Sequence, residues 1–402
     1  MTELALPVPV RARAEALGRK AVRALYCAFL LSVPVETIFY FQSGERPDSD
    51  ISIARVLGTL LIGLAAVQWR DCFKRLPAAF WLLACYVASV SLSQLWIPAE
   101  GFAKFRELQL TLIQMAALFL ISYNLLADRP FREKVLRLYG WWMVLVALGM
   151  LSGVIGMDFK EESRQSVLSQ DPNAVAAMLA LGAMCIAADP ILLGARRRLG
   201  HVAASLGAFG LLTAGILRTG SRGGLLAFAG GTLALAMCAG KATRKARLAV
   251  VGLVLVMGGG LVAREFAQGT DTAARLERTW NEGDTAGRTE IYDEAWSMVR
   301  ERPLTGFGGG YNRYVLGARL NFPDRDTHNT YLEVLTEVGV LGGLPFFLVL
   351  LAALRRSWRC GRLLGDALPF ALLVVLLIVN SSITGERQKI FWIVLAAACA
   401  SA

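Results

Sequence analysis

Only two histidines occur in this 402-residue chain, and its seven cysteines form no Cys-x-x-Cys pair or Cys/His cluster, which excludes a zinc or dithiol redox centre. Charge is scarce too: 18% of residues are charged against 55% hydrophobic, and mean hydropathy is +0.50. A water-soluble domain of this size needs a more polar surface, so the chain reads as a multi-pass membrane protein. A phosphate loop is also missing. Gly306-Phe307-Gly308-Gly309-Gly310-Tyr311 has neither a preceding strand nor the Lys-Ser/Thr ending, and reads as a flexible turn.

Apolar runs of membrane-crossing length are what the chain has in abundance. Twelve are expected, near 21–42, 51–69, 77–98, 105–127, 135–156, 171–188, 199–217, 223–239, 247–263, 331–354, 367–384 and 388–402. The organisation predicted is an all-α bundle: nine spans over 1–263, one external loop over 264–330, and three spans over 331–402. The first run is long, lacks a small-residue cleavage site and reads as a span rather than a signal peptide.

Basic residues set the sidedness. Arg11, Arg13, Arg19, Lys20 and Arg23 precede or open the first run. Alternate loops carry Arg70, Lys74 and Arg75; Arg129, Arg132, Lys134 and Arg137; Arg196, Arg197 and Arg198; Lys241, Arg244, Lys245 and Arg247; and Arg355, Arg356, Arg359 and Arg362. These groups hold over half of the 42 basic residues, and positive loops stay cytoplasmic, so both termini are expected there. The +11 net charge is thereby assigned to loops facing the anionic headgroups of the phospholipid bilayer, and no nucleic-acid partner is expected. Cys27, Cys85, Cys185, Cys238 and Cys399 fall within spans and Cys72 and Cys360 in cytoplasmic loops, which leaves the external loop no disulfide.

Polar residues that solvation of a loop does not explain gather on the other side. His328 sits in Asp326-Thr327-His328-Asn329-Thr330-Tyr331, where the external loop meets the tenth run. Its ordinary pKa of about 6.5 suits it to take and return protons near neutrality. Arg164 is followed by Asp171-Pro172-Asn173, where Asp171 suits a helix N-cap and Asn173 is placed either to cap or to touch a ligand. Arg218-Thr219-Gly220-Ser221-Arg222-Gly223-Gly224 puts two arginines in a short turn at a helix start, a natural cradle for phosphate oxygens, the lesser alternative being that both snorkel to lipid headgroups.

Within the loop, Ile291, Ala295, Trp296, Met298 and Val299 have the spacing of an amphipathic helix that ends before Pro303 and lies along the membrane surface. Arg288 falls in its first turn, where a cation opposes the helix dipole and so points to another use. Asp324-x-Asp326, and Asp48-x-Asp50 on the same side, have the spacing of a divalent-metal pair, but nearby arginines make a metal unnecessary. Glu386, in the final external turn with Arg387 and Lys389, is placed to pair with an arginine or to touch substrate. Glu36 near Pro34 is the best transporter-like feature, yet it lies toward the external end of its span and is placed to meet an arginine.

The order Pro172-Asn173, Ser221-Arg222-Gly223, Gly287-Arg288, Pro303 with Gly306 and Gly308, then His328-Asn329-x-Tyr331-Leu332 and Glu337-x-Gly339, resembles the O-antigen ligase and polymerase superfamily. The motifs span about 160–345, and the twelve runs and the loop before the histidine extend the likeness over most of the chain. The resemblance implies a bacterial inner-membrane glycosyltransferase acting at the periplasmic face. Its donor would be a glycan on undecaprenyl diphosphate and its acceptor a sugar hydroxyl of lipid A core, with inversion and without metal or cofactor. His328 and Arg288 would then be catalytic. Arg222, with Arg218 and Arg164, would hold the diphosphate, and Asn173, Asn329, Tyr331 and Glu386 would line the substrate site. A polymerase shares these motifs and differs in acceptor. A protein-directed oligosaccharyltransferase would be longer, and a transporter would show ionisable residues at mid-membrane and broken-helix repeats.

Overall fold

The computed structural model describes residues 8–36, 52–159, 164–168, 170–193, 199–238 and 287–401, with isolated positions between 252 and 277. Apart from those isolated positions, the expected ninth span and loop residues 264–286 lie outside the described residues. So do the Asp48/Asp50 pair, the basic clusters at 196–198 and 241–247, and the side chains of Arg11 and Arg13.

In chain order the helices are α1 (Val8–Ser32), α2 (Ile53–Val67), the one-turn α3 (Trp69–Cys72), α4 (Ala78–Leu92), α5 (Phe102–Leu126) and α6 (Arg129–Leu151). After a two-stranded hairpin come α7 (Pro172–Leu193), α8 (Leu199–Arg218), α9 (Arg222–Cys238), α10 (Arg288–Glu301), α11 (Asn312–Arg319), α12 (Thr330–Leu364), α13 (Leu368–Val379) and α14 (Lys389–Ala400). Among the described residues, five helices, over 78–96, 99–126, 129–151, 200–218 and 330–364, are long and apolar enough to cross a membrane, and five more apolar helices are shorter. The chain is an all-α membrane protein with one addition the sequence did not announce. Gly156–Phe159 (β1) and Arg164–Val167 (β2) pair antiparallel, from Gly156 opposite Val167 to Phe159 opposite Arg164.

Close approach explains how α9 packs on α13. A Cβ on Gly230 or Gly231 of α9 would fall on Ile378 or Val375 of α13, so these glycines let the two helices meet almost backbone to side chain, as small residues do between membrane helices. Phe391 of α14 stacks on Phe346 of α12, with ring centroids 5.9 Å apart and planes at 8°. At the end opposite His328, Arg132 is no solvated loop cation. It is buried, pairs with Asp366 and donates to the Leu126 carbonyl at 2.7 Å, so a basic residue assigned to a loop is held inside by a carboxylate.

α12 departs furthest from expectation. It runs ten residues past 354, carrying Arg355, Arg356, Arg359, Cys360 and Arg362 on helix instead of loop, and ends at left-handed Gly365. At about 1.5 Å per residue its 35 residues would reach on the order of 50 Å, more than a bilayer core, and the helix breaks at Gly339. Gly339 has φ +62° and ψ −164°, a conformation essentially reserved for glycine, and a Cβ there would fall on the Leu304 backbone. The 303–308 segment lies in the break and exchanges hydrogen bonds with it. Val340 N donates to Pro303 O at 2.8 Å, and Phe307 N and Gly308 N donate to Thr336 O and Glu337 O, each at 2.8 Å. The glycine-rich run read as a flexible turn is therefore a backbone wedge that satisfies the interrupted helix.

Candidate functional site

Asn329 fixes where α12 starts. Its side-chain oxygen accepts from the backbone N–H groups of Tyr331 and Leu332 at 3.0 and 3.2 Å, an N-cap that leaves His328 as the last residue outside the helix. His328 adopts φ +48°, a left-handed conformation that costs a residue with a Cβ about 1–2 kcal/mol. Such a side chain is held in place by its neighbours. His328 Nδ1 lies 3.3 Å from Asp326 Oδ1, while Asp326 Oδ2 accepts from the Thr384 hydroxyl at 2.8 Å and stands 3.7 Å from the Arg313 guanidinium.

The imidazole remains 35% exposed. Burial of the rest pushes its pKa below 6.5. Arg288 and Arg325 push in the same direction, while Asp326 and Asp171 oppose them. With Nδ1–H turned to Asp326, Nε2 is the basic atom of the ring.

A buried ionic network supports this loop from below. Glu333, Glu337 and Glu386 have no exposed surface. Glu333 receives Arg313 Nε at 2.8 Å together with the Thr327 N–H and hydroxyl at 3.0 and 2.9 Å. Arg387 donates to Glu337 at 3.0 Å and to Glu386 at 3.2 Å, and its guanidinium lies 3.7 Å from Glu333. Burial pushes the Glu386 carboxyl up to about 7 against the pull of Arg387. Burial also works against the Arg387 charge, but Glu337, Glu386 and Glu333 more than offset it and hold that charge firmly. Removing one partner from such a cluster typically costs about 3–5 kcal/mol, because the others are left uncompensated.

The turn from Asn380 to Glu386 gathers the remaining pieces. Its carbonyls at Asn380 and Ile383 accept from Thr330 N, the Thr330 hydroxyl donates to Asn380 Oδ1 at 2.6 Å, and Gly385 N donates back to that hydroxyl at 2.7 Å. Tyr292 of α10 donates to Ser381 O at 3.0 Å and reaches His328 O at 3.5 Å. On the other side, a Cβ on Gly223 would meet the Ser382 hydroxyl, so the start of α9 at Arg222 abuts the same turn.

The earlier motif cluster closes on itself. Arg164, at the start of β2, donates to Thr219 O at 3.0 Å and to Asn173 Oδ1 at 3.1 Å, and the Ser221 hydroxyl donates to that same oxygen at 2.9 Å. Asp171 caps α7 through the N–H of Asn173 at 2.7 Å, so capping belongs to Asp171 and the Asn173 amide binds Arg164 and Ser221. Arg218 is exposed, and Arg222 and Arg288 are half-buried.

Several sequence-selected residues thus have neighbours of their own. Tyr331 donates to Leu377 O at 2.6 Å, the Asn329 side chain caps α12, and buried Glu386 pairs with Arg387 without reaching the surface. Glu36 meets Lys389 at 2.6 Å, a lysine where an arginine was expected. Asp324 and Asp326 diverge, Asp324 pairing with Lys104 at 2.8 Å.

Sequence reading passed over Arg313, Arg325 and the role of Arg387. Arg325, directly before Asp326, has a buried Nε with no hydrogen-bond partner among the described residues and influences His328. Its place beside the histidine motif was the available signal. Nothing local marks Arg313, which lies on a short helix fifteen residues before His328.

A search of curated proteins finds no match to the chain. Residues 207–347 match the sequence model described as O-antigen ligase, a stretch that holds Arg218, Arg222, Arg288, Arg325, His328, Asn329 and Tyr331. Over this stretch, about a third of the chain, the protein is similar to the O-antigen ligase family.

Proposed function

We propose that the protein transfers a glycan from undecaprenyl diphosphate to a sugar hydroxyl of lipid A core, at the periplasmic face of the bacterial inner membrane. The observation that carries this reading is a partly exposed imidazole backed at 3.3 Å by the Asp326 carboxylate. His328 Nε2 takes the acceptor hydroxyl proton as that oxygen attacks the anomeric carbon opposite the phosphate. The carbon–oxygen bond to the diphosphate breaks with inversion, and the leaving group keeps the electron pair. Arg288 and Arg222, with Arg325, Arg218 and Arg164, carry the positive charge that receives it, in place of a metal. His328 then releases its proton to water. A positioned base contributes about 10²–10⁴ in rate, and charge stabilisation of the leaving group is often the larger effect.

The test is reconstitution of purified protein with lipid-linked glycan and lipid A core. His328→Ala should remain folded and membrane-inserted yet transfer nothing, and Arg288→Ala should also weaken donor binding. Normal transfer by His328→Ala removes the histidine from the mechanism. Product formed on a second lipid-linked repeat, with lipid A core left unmodified, identifies a polymerase using the same donor.

A further inference from the structure

The geometry points to a saccharide-binding groove on the outer face of α11, which we infer holds the donor glycan beyond its reacting sugar; the inference rests on the transfer reaction proposed above. α11 has two faces. Asn312, Leu316 and Gly317 are buried, and Arg313 reaches inward to Glu333 and Asp326. Tyr311, Tyr314, Val315 and Phe322 line an open groove of about 810 Å³ with Glu100 and Arg319.

The chemistry of the lining is that of a sugar platform. A pyranose offers a flat C–H face, which packs on the negative face of an aromatic ring, and a rim of hydroxyls, which need acceptors and donors. The Tyr311 and Tyr314 rings stand 6.3 Å apart at 50°, and Phe322 keeps 49% of its surface exposed. Glu100 accepts the Tyr311 hydroxyl at 3.2 Å and, as a carboxylate, retains acceptor capacity for a sugar hydroxyl. An anionic headgroup suits the groove less well, because the Arg319 guanidinium already lies between Glu294 and Glu301. An acyl chain would meet two charged side chains.

Continuity with the reaction centre selects the donor. Arg325 acts on His328 and also covers one face of Phe322, its guanidinium carbon 5.0 Å from the ring centroid. A glycan leaving a diphosphate held beside Arg325 and Arg288 therefore runs past Phe322 into the groove. The groove and the Asp326–His328 pair lie on opposite sides of one helix about 10 Å across, a distance that two or three sugar units span.

Calorimetry on full-length protein carrying His328→Ala, with the glycan released from the lipid-linked donor by mild acid as the probe, separates this inference from the chemistry. Tyr314→Ala with Phe322→Ala should weaken glycan binding roughly tenfold, and Phe322→Trp should restore it. In wild-type background the same pair should raise KM for donors with several repeats. Unchanged glycan affinity in the double variant overturns the groove, as does a loss seen only for lipid-free core oligosaccharide or only for phospholipid in nanodiscs. Should His328→Ala transfer normally, the proposed reaction falls while the binding result stands by itself.

Discussion

Asp326→Asn isolates the part of the proposed mechanism that depends most on geometry. The substitution keeps size and removes charge. In the wild-type protein Oδ2 faces two donors, the Thr384 hydroxyl at 2.8 Å and the Arg313 guanidinium at 3.7 Å, and Oδ1 faces His328 Nδ1 at 3.3 Å. An asparagine satisfies those donors only by giving them its oxygen, which turns its NH₂ toward Nδ1 and drives the ring proton to Nε2. The atom that must accept the hydroxyl proton is then blocked. Transfer should fall by about 10²–10⁴, the usual contribution of a general base and equivalent to roughly 2.7–5.4 kcal/mol in activation free energy. Donor binding should be unchanged. The assay is single-turnover glycan transfer in proteoliposomes beside a donor-binding isotherm for each variant. Asp326→Asn protein within about threefold of wild type in turnover would falsify the assigned orientation of the imidazole.

Other outcomes follow from the same geometry. Because burial lowers the His328 pKa, the acid limb of transfer should have its midpoint below pH 6.5; a pH–rate profile with a midpoint above that value contradicts the assignment. The same shift gives stability that is complete above pH 6.5 and lost as pH falls through the lowered value, since the unfolded chain then binds the extra proton. Glu386, raised to about 7, acts oppositely: its contribution is complete below about 4.5 and lost as pH rises through 7, so Glu386→Gln should flatten the fall in Tm between pH 5 and 8. Arg387→Met should destabilise by about 3–5 kcal/mol, and a Tm within a degree or two of wild type would show that the buried carboxylates do not depend on it. Gly339→Ala forces a Cβ onto Leu304 in a glycine-only conformation and should cost at least about 3 kcal/mol, read as lost thermal stability and released protection of the 303–308 amides in hydrogen exchange. Chelator should leave transfer unchanged if guanidinium groups alone receive the diphosphate charge.

Helix positions were the most legible feature, because a membrane-length apolar run has few alternatives; the runs near 51–69, 77–98 and 105–127 correspond to helices at 53–67, 78–92 and 102–126. The end of α12 was misread because charge was taken to mark a loop, whereas arginine is a good helix former and the helix runs through Arg355, Arg356, Arg359 and Arg362 to Gly365. Arg132 was misread for the same reason, its partner Asp366 being 234 positions away. The hairpin at 156–167 is too short to show an alternating pattern.

Residue types and their order determined that the chain spans a membrane, that its histidine stands at a helix start, and that arginines recur before it, since hydropathy and capping act over a few neighbours. Tertiary structure decided which groups meet. Asp326 serves His328 because Thr384 and Arg313 hold its other oxygen, and Arg313 and Arg387 stabilise glutamates from separate elements. Buried charges must find counter-charges wherever the fold brings them, and that pairing across 20 to 50 positions leaves no local trace in the sequence.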